Sequence, residues 1–185
     1  MRDGILKGMY RFRAAADKKS KLRAQLFGSG AILNEVLRAQ EILAEKYGVA
    51  ADVWSVTSYK ALYRDGIDAE RWNRLHPAEK PRVPYVTEQL ENAPGVLVAA
   101  SDYLKTLPNM IAKWMPRPLA SLGTDGFGRS EGRADLRDFF EVDSRFVVLA
   151  TLCELRDAGK LDATVVEQAI ANLHINPAKP NPVTV

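Results

Sequence analysis

Cysteine is almost absent. The one thiol in 185 residues, Cys153, excludes an intrachain disulfide. It sits in the apolar run from Phe146 to Leu155, where a small core residue is expected rather than an exposed, electropositive nucleophile. Histidine is nearly as scarce, so only His76 and His174 are available as general bases near neutral pH. His76 precedes Pro77 in RWNRLHP and reads as part of a fixed interface loop; His174 closes the last helical pattern, where a partial positive charge complements the helix dipole. No Walker loop, CxxC pair, HExxH or GxSxG occurs. No apolar run reaches the roughly eighteen residues of a membrane span, and Met1-Arg2-Asp3-Gly4 does not open a secretory signal, so a cytoplasmic protein without a membrane partner is expected. Neither charge sign dominates: 26 Lys and Arg face 23 Asp and Glu, a formal net charge of +3. The basic cluster Lys18, Lys19, Lys21 and Arg23 lacks interleaved aromatics, which argues against nucleic acid and for a solvated turn.

What is present suits one globular domain, with 46% apolar and 26% charged residues. Met9 to Phe12 and Leu22 to Phe27 are β-prone and spaced for an antiparallel hairpin. After Phe27 comes Gly28-Ser29-Gly30, then a helical pattern in which Leu33, Val36, Leu37, Leu43 and Tyr47 share a face and Gly48 stops the helix. Asp52 to Thr57 alternates as a strand, and Ser58 to Leu75 follows as a helical region broken near Gly66. The remaining pattern gives a helix over Tyr85 to Asn92, a buried strand at Val96 to Ala100, a helix over Tyr103 to Met115 and a last strand at Leu119 to Leu122. Asp143 to Ala158 reads as a nearly all-apolar helix and Ala163 to Leu173 as an amphipathic one, with Asp143 and Asp162 as N-caps. Strands alternating with helices predict an α/β fold: three layers, α/β/α, around a five-stranded, mostly parallel mixed sheet. Residues 1–176 form the expected domain, and 177–185, with three prolines, a tail that packs on its surface or frays.

Two glycine-rich turns stand out. Gly28-Ser29-Gly30 invites a nucleotide reading, but a full dinucleotide fingerprint needs a small third residue where this chain has Leu33. The second follows the last strand: Gly123, Thr124, Asp125, Gly126, Phe127, Gly128, Arg129, Ser130 and, beyond it, Arg133. Its glycines permit positive φ, its Thr, Asp and Ser can bond a tight turn, and its arginines stand ready for an anion or a neighbouring domain. A loop leaving the C-terminal end of a strand is where α/β proteins place ligands and contacts. The plainer reading is a structural corner with solvated arginines.

Several blocks, in order along nearly the whole chain, resemble one family. They are GILKGMYRF, LFGSGAIL, DVWSVTSYKALYRDG, ERWNRLHP, PRVPYV, SDYLK, TDGFGRS and FEVDSRFVVLATL. Together they are similar to the C-terminal domain of the homodimeric pyruvate dehydrogenase E1 component, a thiamine diphosphate enzyme of the transketolase superfamily. The resemblance implies a sheet with one antiparallel edge and a place in a larger subunit that decarboxylates pyruvate on thiamine diphosphate and Mg2+. It further implies transfer of the acetyl group to the lipoyl group of the E2 dihydrolipoyl acetyltransferase. In this segment it implies scaffold, contacts with the other E1 domains and the second subunit, and E2 docking. It carries no cofactor, metal or catalytic residue onto this chain. The family's GDG motif appears only as Thr124-Asp125-Gly126, and the next Asn is as distant as Asn172. A related 2-oxo acid dehydrogenase, or a freestanding module binding a nucleotide or small anion at the glycine turns, stays open on the sequence.

Overall fold

The computed structural model describes Arg2 to Val185; Met1, counted in the expected domain, lies outside the described residues. Five strands form one sheet: β1 (Met9–Arg13), β2 (Arg23–Gly28), β3 (Ala50–Val56), β4 (Val96–Ala100) and β5 (Leu119–Leu122), in the order β1-β3-β2-β4-β5. All neighbours pair in parallel except β1, which runs antiparallel to β3 at the edge. The helices are α1 (Arg2–Lys7), α2 (Leu33–Tyr47), α3 (Tyr59–Leu75), α4 (Tyr85–Leu90), α5 (Thr106–Asn109), α6 (Arg133–Phe139), α7 (Ser144–Asp157) and α8 (Ala163–Asn172).

The period-two alternation of the central strands sorts their side chains into two cores. Ala24 and Leu26, Ala51 and Val53, and Val98 and Ala100 face α2, α7 and α8. Phe27, Trp54 and Val56, and Leu97 and Ala99 face α3, α4 and Ile111. Each fully buried Leu or Phe contributes about 1.5–3 kcal/mol, so the two cores together hold the three layers. The expected face of α2 is seen, and Gly48 ends it at φ 62 with its N–H on the Leu43 carbonyl. Asp143 caps α7, accepting the amides of Arg145 and Phe146; Asp162 stands at the N-cap of α8 but makes no side-chain cap bond.

Three local expectations are corrected. The two N-terminal strands form no hairpin, because β3 lies between them. Their connection crosses the N-terminal end of β3, where the Ala15 amide donates to the buried Asp52 carboxylate at 2.8 Å. Asp52 also receives the Gln25 amide at 3.1 Å and the Arg23 guanidinium at 3.4 Å, and Gln25 accepts the Trp54 indole N–H at 2.8 Å. Arg23 is thus built into the sheet end rather than solvated with Lys18, Lys19 and Lys21. Secondly, α3 runs unbroken through Gly66, whose missing side chain leaves room for the Trp114 ring. Thirdly, Tyr103 to Met115 is not one helix but α5 and a 3-10 turn at Ala112–Trp114. Pro108 lacks an N–H and is tolerated only in a first helical turn, while the Tyr103 carbonyl and Lys105 amide are engaged by the loop after β5.

Two predictions test this packing. A Cβ at residue 66 would fall 2.6 Å from Trp114 ring atoms. Gly66→Ala is therefore expected to lose about 1–3 kcal/mol in urea unfolding, although Ala ordinarily gains about 1 kcal/mol over Gly inside a helix; a gain would show that Trp114 yields. The Lys113 ammonium and then the Trp114 N–H hold the Glu70 carboxyl below its ordinary value of 4.5. A depressed carboxyl stabilises the fold above that value and loses its contribution as pH falls through the lower folded one. The stability advantage of wild type over Glu70→Gln should shrink between about pH 6 and about pH 3, and a constant difference would remove this clamp.

Candidate functional site

Strands β2, β4 and β5 end side by side, and the chain leaves β2 toward β3 on one flank and joins β4 on the other. That is the switch point at which open α/β sheets form a crevice. The segments leaving these three ends are Ser29–Gly30, Ser101–Lys105 and the loop after β5. Gly28-Ser29-Gly30 proves a packing turn: a Cβ at Gly28 would stand 2.8 Å from the Leu33 Cα, so helix α2 rests directly on the strand end.

The loop after β5 is tied to the loop after β4. Thr124 donates its amide to the Tyr103 carbonyl at 2.9 Å, and Asp125 accepts the Lys105 amide at 2.9 Å and pairs with its ammonium at 3.2 Å. The three glycines play different parts. Gly123 makes room for the backbone of Tyr103 and Lys105. Gly126 alone adopts positive φ, 87°, and a Cβ there would meet the Pro182 carbonyl at 2.7 Å. Gly128 faces open space. Beyond them Phe127 is 83% exposed, the Arg129 guanidinium stands 5.1 Å from the Phe139 ring, and Arg133 opens α6, a helix not foreseen in the sequence. Thr124, Gly128, Arg129 and Arg133 share one cleft of about 700 Å³ with Ala31 and Asp102. Ser130 lines a neighbouring cleft with Arg129 and Lys179. His76 belongs to neither, since it stands at the far end of α3.

Two further supports hold this site, and the first has no counterpart in the sequence. Glu35, 4% exposed in the first turn of α2, accepts Arg137 at 2.9 Å, Arg38 at 3.2 Å and the Ser144 amide at 3.2 Å, so it binds α6 and α7 to α2. An acidic residue on an apolar helical face was the only available signal. The C-terminal tail folds back as well: Lys179 bonds the Asp138 carbonyl, pairs with Glu141 at 3.6 Å and lies 4.7 Å from the Phe146 ring, and Pro182 is buried against the loop.

Hydrogen bonds and an ion pair join the two loops into one edge of the site. The Asp125 carboxylate is spent on Lys105, so the segment does not fit a magnesium-held diphosphate. Among the described residues no three His, Cys, Asp or Glu side chains converge on a metal position. Burial pushes the Cys153 thiol up, which disfavours its thiolate. No described helix is long and apolar enough to cross a membrane.

Against known proteins, the chain is 49% identical over 182 residues to the pyruvate dehydrogenase E1 component of Pseudomonas aeruginosa, covering 97% of this chain and 20% of that protein. The E1 component of Escherichia coli K12 is likewise 49% identical, over 181 residues, and that of Cupriavidus necator 44%. The chain thus spans about one fifth of the length of these relatives. Among solved structures, a split-gene transketolase, described as an inactive beta4 tetramer, overlays 81% of the chain and 43% of its own at TM-score 0.54 with 18% identity. The Leishmania mexicana transketolase overlays 84% of the chain and 19% of its own at TM-score 0.53 with 19% identity, which shows a common fold. The model of the transketolase-like TK C-terminal domain matches residues 8–143, the whole sheet and the entire loop after β5, and the chain belongs to that family.

Proposed function

We propose that this chain is the C-terminal domain of a pyruvate dehydrogenase E1 subunit. The complete enzyme, a cytoplasmic homodimer, decarboxylates pyruvate with thiamine diphosphate and Mg2+ held by its other domains and passes the acetyl group to the E2 lipoyl group. The single observation that carries the reading is the 49% identity to E1 components across 97% of the chain. Within that enzyme residues 1–176 act as one folded unit and 177–185 as its strap.

The part assigned to this segment is contact. Tyr103 and Leu104 after β4, Phe127 after β5, and Val183 in the strap are all exposed apolar residues. The hydrogen bonds between the two loops and the contact of Pro182 with Gly126 gather them at one edge of the sheet. Apolar groups gathered on a rigid frame lose little freedom on being covered, which favours a permanent contact with the remaining E1 domains or the second subunit. Arg129 and Arg133 flank this group and offer guanidinium forks to carboxylates across the contact.

In the full subunit, Arg129→Ala is expected to lower dimer assembly or pyruvate turnover several-fold, measured by sedimentation and by a dye-linked decarboxylation assay. Unchanged values in both would sink the contact role of this loop. The 185-residue chain alone, given pyruvate, thiamine diphosphate and Mg2+, is expected to show no turnover and no calorimetric binding of the cofactor. Turnover by the isolated chain would overturn the assignment of chemistry to the other domains.

A further inference from the structure

We infer that the end of α3 and the segment returning along it, residues 71–84, form a docking surface for an acidic face of a separate protein of different sequence. The surface is built around Trp72. The His76 ring stacks on it at 3.5 Å between centroids and 15° between planes, and the Arg82 guanidinium stands 3.5 Å from the same ring. Two groups that close cannot share one face, so Trp72 is sandwiched between them. Asn73 fixes the returning chain, donating to the Arg82 carbonyl at 2.9 Å and accepting the Arg82 amide at 2.7 Å. His76 is held in turn, its backbone N–H on the Trp72 carbonyl at 2.9 Å and its Nδ1 3.0 Å from that oxygen. Pro77, Pro81 and Pro84 stiffen the path between.

Charge identifies the partner. Residues 71–84 hold Arg71, Arg74, Lys80 and Arg82 against the single carboxylate Glu79, a local excess of three that equals the formal net charge of the whole chain. All four cations are exposed, and none forms an ion pair among the described residues. Leu75 and Val83, 57% and 56% exposed, add two apolar side chains to the segment. Arg74 in the last turn answers the helix dipole, but that accounts for one cation of four. Trp and Arg carry much of the binding energy of protein interfaces, and a sandwich already ordered in the free protein loses little entropy on docking.

The same geometry argues against other macromolecules. Both faces of Trp72 are occupied, so no nucleobase can stack on it. Two aliphatic side chains are too few to anchor a lipid surface. The position also argues against the rest of the subunit. Helix α3 starts beside the C-terminal edge of the sheet and its 17 residues carry its end about 25 Å away, toward the opposite edge. This step rests on the proposed function, which gives the edge around Phe127 to the neighbouring E1 domains.

The test is zero-length carbodiimide cross-linking of the complete native enzyme assembly, with hydroxyl-radical footprinting of Phe127 in the same sample. Lys80 is expected to couple to Asp or Glu side chains of a polypeptide other than E1. The yield should fall at least fivefold in the Arg74→Glu variant, and likewise when salt is raised from about 0.05 M to about 0.5 M. Coupling only within E1 would make the surface an internal contact, and no coupling, or coupling indifferent to Arg74→Glu, would make it a solvated face; each overturns the proposal. Solvent-exposed Phe127 in the assembly would instead overturn the subunit contact on which it rests.

Discussion

A carboxylate closed off from water has to have its lone pairs answered, and Glu35 shows how much can be hung on that requirement. Removing one partner of such a buried pair typically costs about 3–5 kcal/mol, because the remaining charge is stranded. Here the partners are Arg137 on α6 and the amide that opens α7, so the demand of one side chain on α2 fixes both later helices. Through α6 it also sets where the loop after β5 must end. The glycine-rich segment therefore spans two fixed points, β5 and Arg133, rather than hanging free.

This division explains what could be read in the residues. Strands β2 and β4 announced themselves because apolar runs buried on both faces are hard to mistake, and α2 did so through its stripe and Gly48. The misplaced hairpin had a different cause. Proximity in sequence favours pairing β1 with β2, but the Asp52 carboxylate, 37 residues from the Ala15 amide it accepts, draws the connection across β3 instead. Likewise Tyr103 to Met115 has helical spacing, and the loop after β5 takes the backbone groups that its first turn would need. Helix α6 was hidden because RADLRDF is charged, short and preceded by glycines.

At the site itself, place was legible and role was not. The glycine spacing of residues 123–128 pointed to a loop at a strand end, yet only Gly126 uses a positive φ, and Gly123 is required for closeness of backbones instead. Arg129 and Arg133 were visible as charges; the cleft they share with Ala31 and Asp102 depends on three strand ends meeting. His76 suggested a fixed loop; its ring stacks on Trp72, and the arrival of Arg82 depends on the return of the chain along α3. Glu35 could not be read as an anchor, since its partner lies 102 residues away. The Asp125 carboxylate, which stands where the family's GDG motif is broken, is spent on Lys105, and this supports the proposed contact role of the segment.

The folded-back tail has a practical side. Lys179 and Pro182 bring the last residues of the chain beside Gly126, so whatever is joined to Val185 emerges beside the loop after β5. An affinity handle or fluorescent reporter fused there would crowd the apolar edge formed by Phe127, Tyr103 and Leu104. The turn between α7 and α8, where Gly159 has open space around it, would carry the same insertion away from that edge.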